Sequence, residues 1–193
     1  IIGEVYDVYV WTDRPVWPQG IPWPSQKTAV PAELDWNLWL GTAPAKDYVD
    51  NVVPFNWRGW WDYGTGALGD MGCHLMEAPF RVLGLGYPTE ATCSVGSVYT
   101  GPFRRGYFPE CAPASSSVTL KFNASNAKKS ITLHWMDGGI QPERPEEQQQ
   151  FPRHVQPRLR PRQRGLGVQP ALDEMVVVKN RPHLVGAIEI AKD

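Results

Sequence analysis

The chain has few of the features that assign a protein quickly. Of its 193 residues only three are cysteines, Cys73, Cys93 and Cys111, and none stands in a C-x-x-C spacing. An odd number at such intervals indicates neither a disulfide framework nor a zinc knuckle. No apolar run approaches the ~18 residues that a membrane-spanning helix needs. Charge of either sign is not in excess: 19 basic residues face 20 acidic ones, for a net charge of −1. That balance argues against a general nucleic-acid or membrane surface, so neither kind of partner is expected. No G-x-G-x-x-G follows a predicted strand, so the dinucleotide fingerprint is missing.

What is present is aromatic and apolar. Hydrophobic residues make up 42% of the chain, ordinary for one globular core with an appendage. Nine tryptophans are many, and most precede residue 62. An indole combines a broad apolar face with one N–H donor, which suits either a packed loop or a sugar-stacking wall.

Alternation predicts a half-buried strand from Glu4 to Trp11. Pro15, Pro18, Pro22, Pro24 and Pro31 then make residues 12–32 a long irregular loop. Asp35-Trp-Asn-Leu-Trp-Leu-Gly41 reads as a short helix with Asp35 as N-cap and Gly41 past its end. A second helix is predicted from about Thr65 to Leu83, with Leu68, Met71, Leu75, Met76, Phe80 and Leu83 at mostly helical spacing and Pro79 kinking it or ending its regular ladder. Cys73 is expected to be a small buried packing residue in it. Three strand candidates follow, at Thr89–Tyr99, Ser116–Asn123 and Ser130–Trp135, with Asn123-Ala-Ser-Asn126 turning between the last two. Hairpin-like strands after a helix predict an α+β domain.

The chemistry-bearing stretch runs from Pro54 to Glu77. Three tryptophans and Arg58 lead into Gly64, Gly66 and Gly69, whose lack of a side chain lets backbone or a ligand approach the helix start. Asp70 and His74 stand four apart and share a helix face. A carboxylate beside an imidazole can fix its tautomer and raise its basicity, which suits a general base; a helix-surface pair without chemistry is the other reading. A metal site using Asp70, His74 and Glu77 would need further ligands, and His134, His154 and His183 are isolated in sequence.

Gly66-Ala-Leu-Gly-Asp70-Met-Gly-Cys-His74-Leu-Met-Glu77 resembles the G-x-x-x-D-x-G-x-H-x-x-D signature of the glucose–fructose oxidoreductase and inositol dehydrogenase (Gfo/Idh/MocA) family. Val10-Trp-Thr-Asp-Arg-Pro-Val-Trp-Pro-Gln-Gly20, Leu34-Asp-Trp-Asn-Leu-Trp-Leu-Gly41 and Pro54-Phe-Asn-Trp-Arg-Gly-Trp-Trp61 resemble a bacterial branch of it. The likeness covers about residues 1 to 145, and Glu77 stands where the family more often has Asp. It implies a large, mostly antiparallel sheet with helices packed on one face, similar to the C-terminal domain of dihydrodipicolinate reductase. It also implies an N-terminal Rossmann domain holding NAD or NADP and a Glu-Lys-Pro motif. Neither is present, so the chain is read as the C-terminal part of an oxidoreductase, inactive by itself.

By the same resemblance the substrate is a sugar, a polyol or a related hydroxyl compound. His74 takes the hydroxyl proton, and Asp70 orients His74 and binds a neighbouring hydroxyl. Arg58, Trp57 and Trp60 are substrate-wall candidates by position. A branch of the family uses NAD to cleave glycosides, so a glycosidase outcome stays open. A non-catalytic module that assembles through the sheet also stays open, and homo-oligomers are expected in either case. Cytoplasm and periplasm are equally compatible with the sequence.

Residues 1–140 are thus read as the α+β domain and 141–193 as an atypical tail rich in Pro, Gln and Arg. Its proline density and low hydrophobicity predict disorder over about 142–170, with a late strand at 173–179. The change of character after about Glu147 suggests a shifted reading frame or a recombined end. An arginine-rich arm binding RNA, DNA or an acidic partner is the alternative.

Overall fold

The computed structural model describes residues 4–123, 130–143, 175–180 and 184–189. The disorder predicted for 142–170 and the turn at Asn123–Asn126 fall almost wholly outside those residues.

Strand β1 (Asp7–Trp11) opens the chain, and the Pro-rich stretch after it carries no regular structure until helix α1 (Trp36–Leu40). Asp35 caps α1 as expected, its Oδ1 accepting from the Leu38 amide at 2.9 Å, and Gly41 ends it at φ 58°. A 3₁₀ turn (Asn56–Gly59) leads to helix α2 (Gly66–Leu75) and helix α3 (Glu77–Leu83). The expected single helix is therefore two. The break falls at Met76, three residues before Pro79, because proline has no N–H and its ring clashes with the carbonyl four residues back. In the first turn of α3 that missing donor costs nothing.

The remaining strands are β2 (Glu90–Val95), β3 (Tyr99–Gly101), β4 (Arg104–Arg105), β5 (Ser116–Phe122), β6 (Ile131–Met136), β7 (Met175–Asn180) and β8 (Leu184–Glu189). The predicted strand at Thr89–Tyr99 is cut short at Val95, and Tyr99 begins the separate hairpin β3–β4. The main sheet has the order β2-β5-β6-β1-β7-β8. Every neighbouring pair in it is antiparallel except β1 and β6, which run parallel. The sheet is mixed and the fold is α+β, as expected. Strand β7 overlaps the stretch 173–179 singled out in the sequence, whereas β8 has no counterpart there.

One face of this sheet makes the core. Val8 and Val10 of β1 lie in register with Leu133 and Trp135 of β6, and all four are fully buried. Met71 and Leu75 of α2 pack onto them, joined by Phe80 and Leu83 of α3. Asp7, Tyr9, Thr132 and His134 alternate with these residues and occupy the opposite face, where the Tyr9 and His134 rings stack at 4.6 Å. Asp137 closes the end of the sheet. Its carboxylate is 2% exposed and accepts from the Ser116 amide at 2.6 Å, the Ser116 hydroxyl at 2.5 Å and the Trp135 indole at 2.8 Å. A carboxylate buried this deeply needs that many donors.

Cys73 is not a packing residue. It is exposed, one helical step beyond the buried Met71 and Gly72, and Cys111 is the buried cysteine. Burial pushes the Cys111 thiol up from its ordinary value.

Candidate active site

The site begins with glycine. Gly64 lies so close to the Arg58 backbone that a Cβ would stand 2.6 Å from the Arg58 Cα. Gly66 starts α2 at φ 61°, and a Cβ there would meet the Ala112 Cβ at 2.6 Å. Only glycine accepts both conditions, and together they press the 3₁₀ turn against the start of α2. Buried Gln19 braces the same corner: its Oε1 accepts from the Trp17 indole at 2.8 Å, and its Nε2 donates to the Pro113 carbonyl at 2.6 Å.

That approach lets Arg58 reach Asp70. Arg58 Nε donates to Asp70 Oδ1 at 3.0 Å, and Nη1 donates to the Phe55 carbonyl at 3.0 Å. The guanidinium also lies 4.6 Å from the Phe55 ring centre, 4.7 Å from Trp57 and 5.8 Å from Trp17. Both charged side chains are about a quarter exposed. A flat cation held by ring faces and two directed bonds has little freedom left, so the carboxylate it holds is fixed as well.

His74 follows one turn later on the exposed side of α2. Asp70 and His74 do share a face, yet among the described residues His74 makes no hydrogen bond. The carboxylate turns toward Arg58 instead of orienting His74. A charge-assisted bond to a guanidinium is roughly twice as strong as a neutral one, and helix side chains lean toward the N-terminus, where Arg58 waits.

The three expected wall residues separate. Arg58 and Trp57 stand together at the site, with the Trp57 indole anchored to the Pro54 carbonyl at 3.0 Å. Trp60 is 2% exposed, packed with Val49, Val52 and Cys111 and edge-on to Trp23, so it stiffens the wall from behind. Trp17 and Phe55 complete the cage around Arg58 and were not foreseen. Among the described residues no group of three His, Cys, Asp or Glu side chains could hold a metal ion. Glu77 pairs with Arg81 at 3.2 Å instead.

A groove of about 630 Å³ shares Trp57 with this cluster; Trp39, Leu40, Pro44, Asp62 and Tyr63 line it too. Lys46 bonds Asp62 at 2.5 Å and lies 4.8 Å over the Trp23 ring. The Tyr63 hydroxyl is buried without a hydrogen-bond partner among the described residues. Burial, then the nearby Asp62 charge, push this phenol up to about 12.

Gly64-Thr-Gly66-Ala-Leu-Gly69 has the spacing of a dinucleotide fingerprint and opens a helix. A loop precedes it, however, where the fingerprint requires a strand, and the space beside Gly64 and Gly66 is filled by Arg58 and Ala112. This corner does not fit a pyrophosphate.

Fold and site together define an α+β domain carrying a fixed carboxylate and an exposed imidazole against an aromatic wall. Residues 17–92 match the family model for the C-terminal alpha/beta domain of the Gfo/Idh/MocA oxidoreductase family. The resemblance read from the sequence is borne out over that stretch, which includes Arg58, Asp70 and His74 and is shorter than residues 1 to 145. Over that stretch the chain is similar to the C-terminal domain of an oxidoreductase family. No curated protein matches the chain.

Proposed function

We propose that the chain is the substrate-side domain of an NAD(P)-dependent oxidoreductase acting on a sugar, polyol or related hydroxyl. The observation that carries this reading is the Asp70 carboxylate, held at 3.0 Å by a caged Arg58 one helical turn from an exposed His74. With Oδ1 taken, Oδ2 of Asp70 serves as acceptor for one substrate hydroxyl. His74, bonded to nothing else among the described residues, takes the proton of the neighbouring hydroxyl as general base. Trp57 and Phe55 shield one side of the site from water. Oxidation itself belongs to a dinucleotide held by another domain, since the described corner of this chain does not cradle one. Chains would pair through the sheet face that carries Tyr9 and His134, opposite α2 and α3.

The test is turnover with a dinucleotide-binding domain of the family supplied. His74→Ala should lower kcat by about two to four orders of magnitude with little change in substrate affinity. Asp70→Asn should give a smaller defect, expressed largely in KM, because an amide keeps part of the hydroxyl contact. Turnover within about threefold of the parent for His74→Ala would make His74 a surface residue and end this mechanism.

A further inference from the structure

We propose that the groove beside Trp57 is a subsite for a second pyranose ring, so that the substrate is a glycoside or disaccharide. This rests on the sugar-oxidising reading above and extends it. At about 630 Å³ the groove falls within the roughly 300–1,000 Å³ of small-molecule sites. Its chemistry narrows the occupant. A pyranose presents an apolar C–H face and a rim of hydroxyls, and the groove answers with the rings of Trp39, Trp57 and Tyr63 beside the Asp62 carboxylate and the Thr42 hydroxyl. A fully apolar ligand would strand the Asp62–Lys46 pair, both members of which are still more than a quarter exposed. An anionic ligand would meet Asp62, which already neutralises Lys46. Continuity supplies the rest: the ring of Trp57 that lines the groove also lies under the guanidinium that holds Asp70. One sugar at Asp70 and His74 and a second across Trp57 is the arrangement this order of residues offers.

The experiment titrates the 193-residue chain with cellobiose, maltose, lactose and xylobiose, and with glucose, galactose and xylose as controls. Tryptophan emission and indole N–H shifts are followed by fluorescence and NMR. At least one disaccharide should bind about fivefold or more tightly than its own monosaccharides and shift the Trp39 and Trp57 indole signals. Trp39→Phe, which keeps an aromatic ring against Trp36, should bring disaccharide affinity down to that of the monosaccharide. Asp62→Asn should weaken it without touching the stacked rings. Equal affinity for disaccharides and monosaccharides, or shifts confined to indoles outside the groove, would overturn the proposal. So would the absence of any shift with all four disaccharides. Because binding is read without turnover, a His74→Ala enzyme that keeps its turnover removes the catalytic reading alone, and a silent groove removes the subsite alone.

Discussion

Arg58 shows how one side chain can be committed before any substrate arrives. Its guanidinium spends one N–H on Asp70 and another on the Phe55 carbonyl, and ring faces surround it. Its place in sequence implied a substrate wall; in the structure these two donors are directed at Asp70 and at the Phe55 carbonyl. Asp70 and His74 were legible because i,i+4 spacing is a rule of the helix. Their separation into a held carboxylate and an unbonded imidazole was not, because a pair twelve residues apart across a turn follows no periodicity. Tyr63 offers the titration test at this scale. Its folded phenol is held at about 12, above the usual tyrosine value near 10. Below pH 10 the contribution to stability is complete. Between about pH 10 and 12 the unfolded chain releases this proton while the folded chain keeps it, so stability falls as pH rises. Urea midpoints measured from pH 9 to 12 should fall less steeply for Tyr63→Phe than for the parent. At pH 7 that substitution should cost almost nothing, because the hydroxyl it removes has no partner among the described residues. Identical slopes would show that the phenol reaches water.

Among elements, α2 carries the most consequence, because its inner face holds Met71 and Leu75 against β1 and β6 while its outer face displays His74. The apolar spacing made that helix legible. Its division at Met76 needed the exact position of the proline's clash, and the outward turn of Cys73 followed from a 100° step that composition alone hides. The strands β1, β5 and β6 were legible from alternation, but the parallel pairing of β1 with β6 was not, since pairing is decided by long-range packing of Val8, Val10, Leu133 and Trp135. Gly66 tests the element's start. Alanine there meets both a positive φ and the Ala112 methyl, so Gly66→Ala should destabilise by about 2 kcal/mol or more. Gly41→Ala makes the control, with a similar φ and open space around it. If both cost the same in chemical denaturation, the backbone angle alone sets the penalty, and the close approach between α2 and the Ala112 loop is not needed.

At the scale of the whole molecule, the described residues form a sheet with helices on one face and a tryptophan-rich loop region beside them. The family match covers that loop region and the helices, through the start of β2. Many tryptophans prove to be anchors: Trp17, Trp36, Trp60 and Trp135 are buried, and Trp57 and Trp39 are the ones left at the groove. Sequence could count the indoles but not sort them, since anchor and wall use the same ring. The same scale bears on the cofactor. A pyrophosphate needs a glycine-rich turn between strand and helix, with open amides at the helix N-terminus. The one G-x-G-x-x-G here follows a loop, and its glycines are spent on the chain's own backbone, with Gly64 against Arg58 and Gly66 against Ala112. The 193-residue chain should therefore bind NADH or NADPH no better than a control protein such as serum albumin, read by enhancement of nicotinamide fluorescence and by calorimetry. Saturable binding with micromolar affinity would mean that this corner opens to admit a phosphate. In that event the division of labour proposed here, substrate on this chain and dinucleotide on another domain, would be wrong.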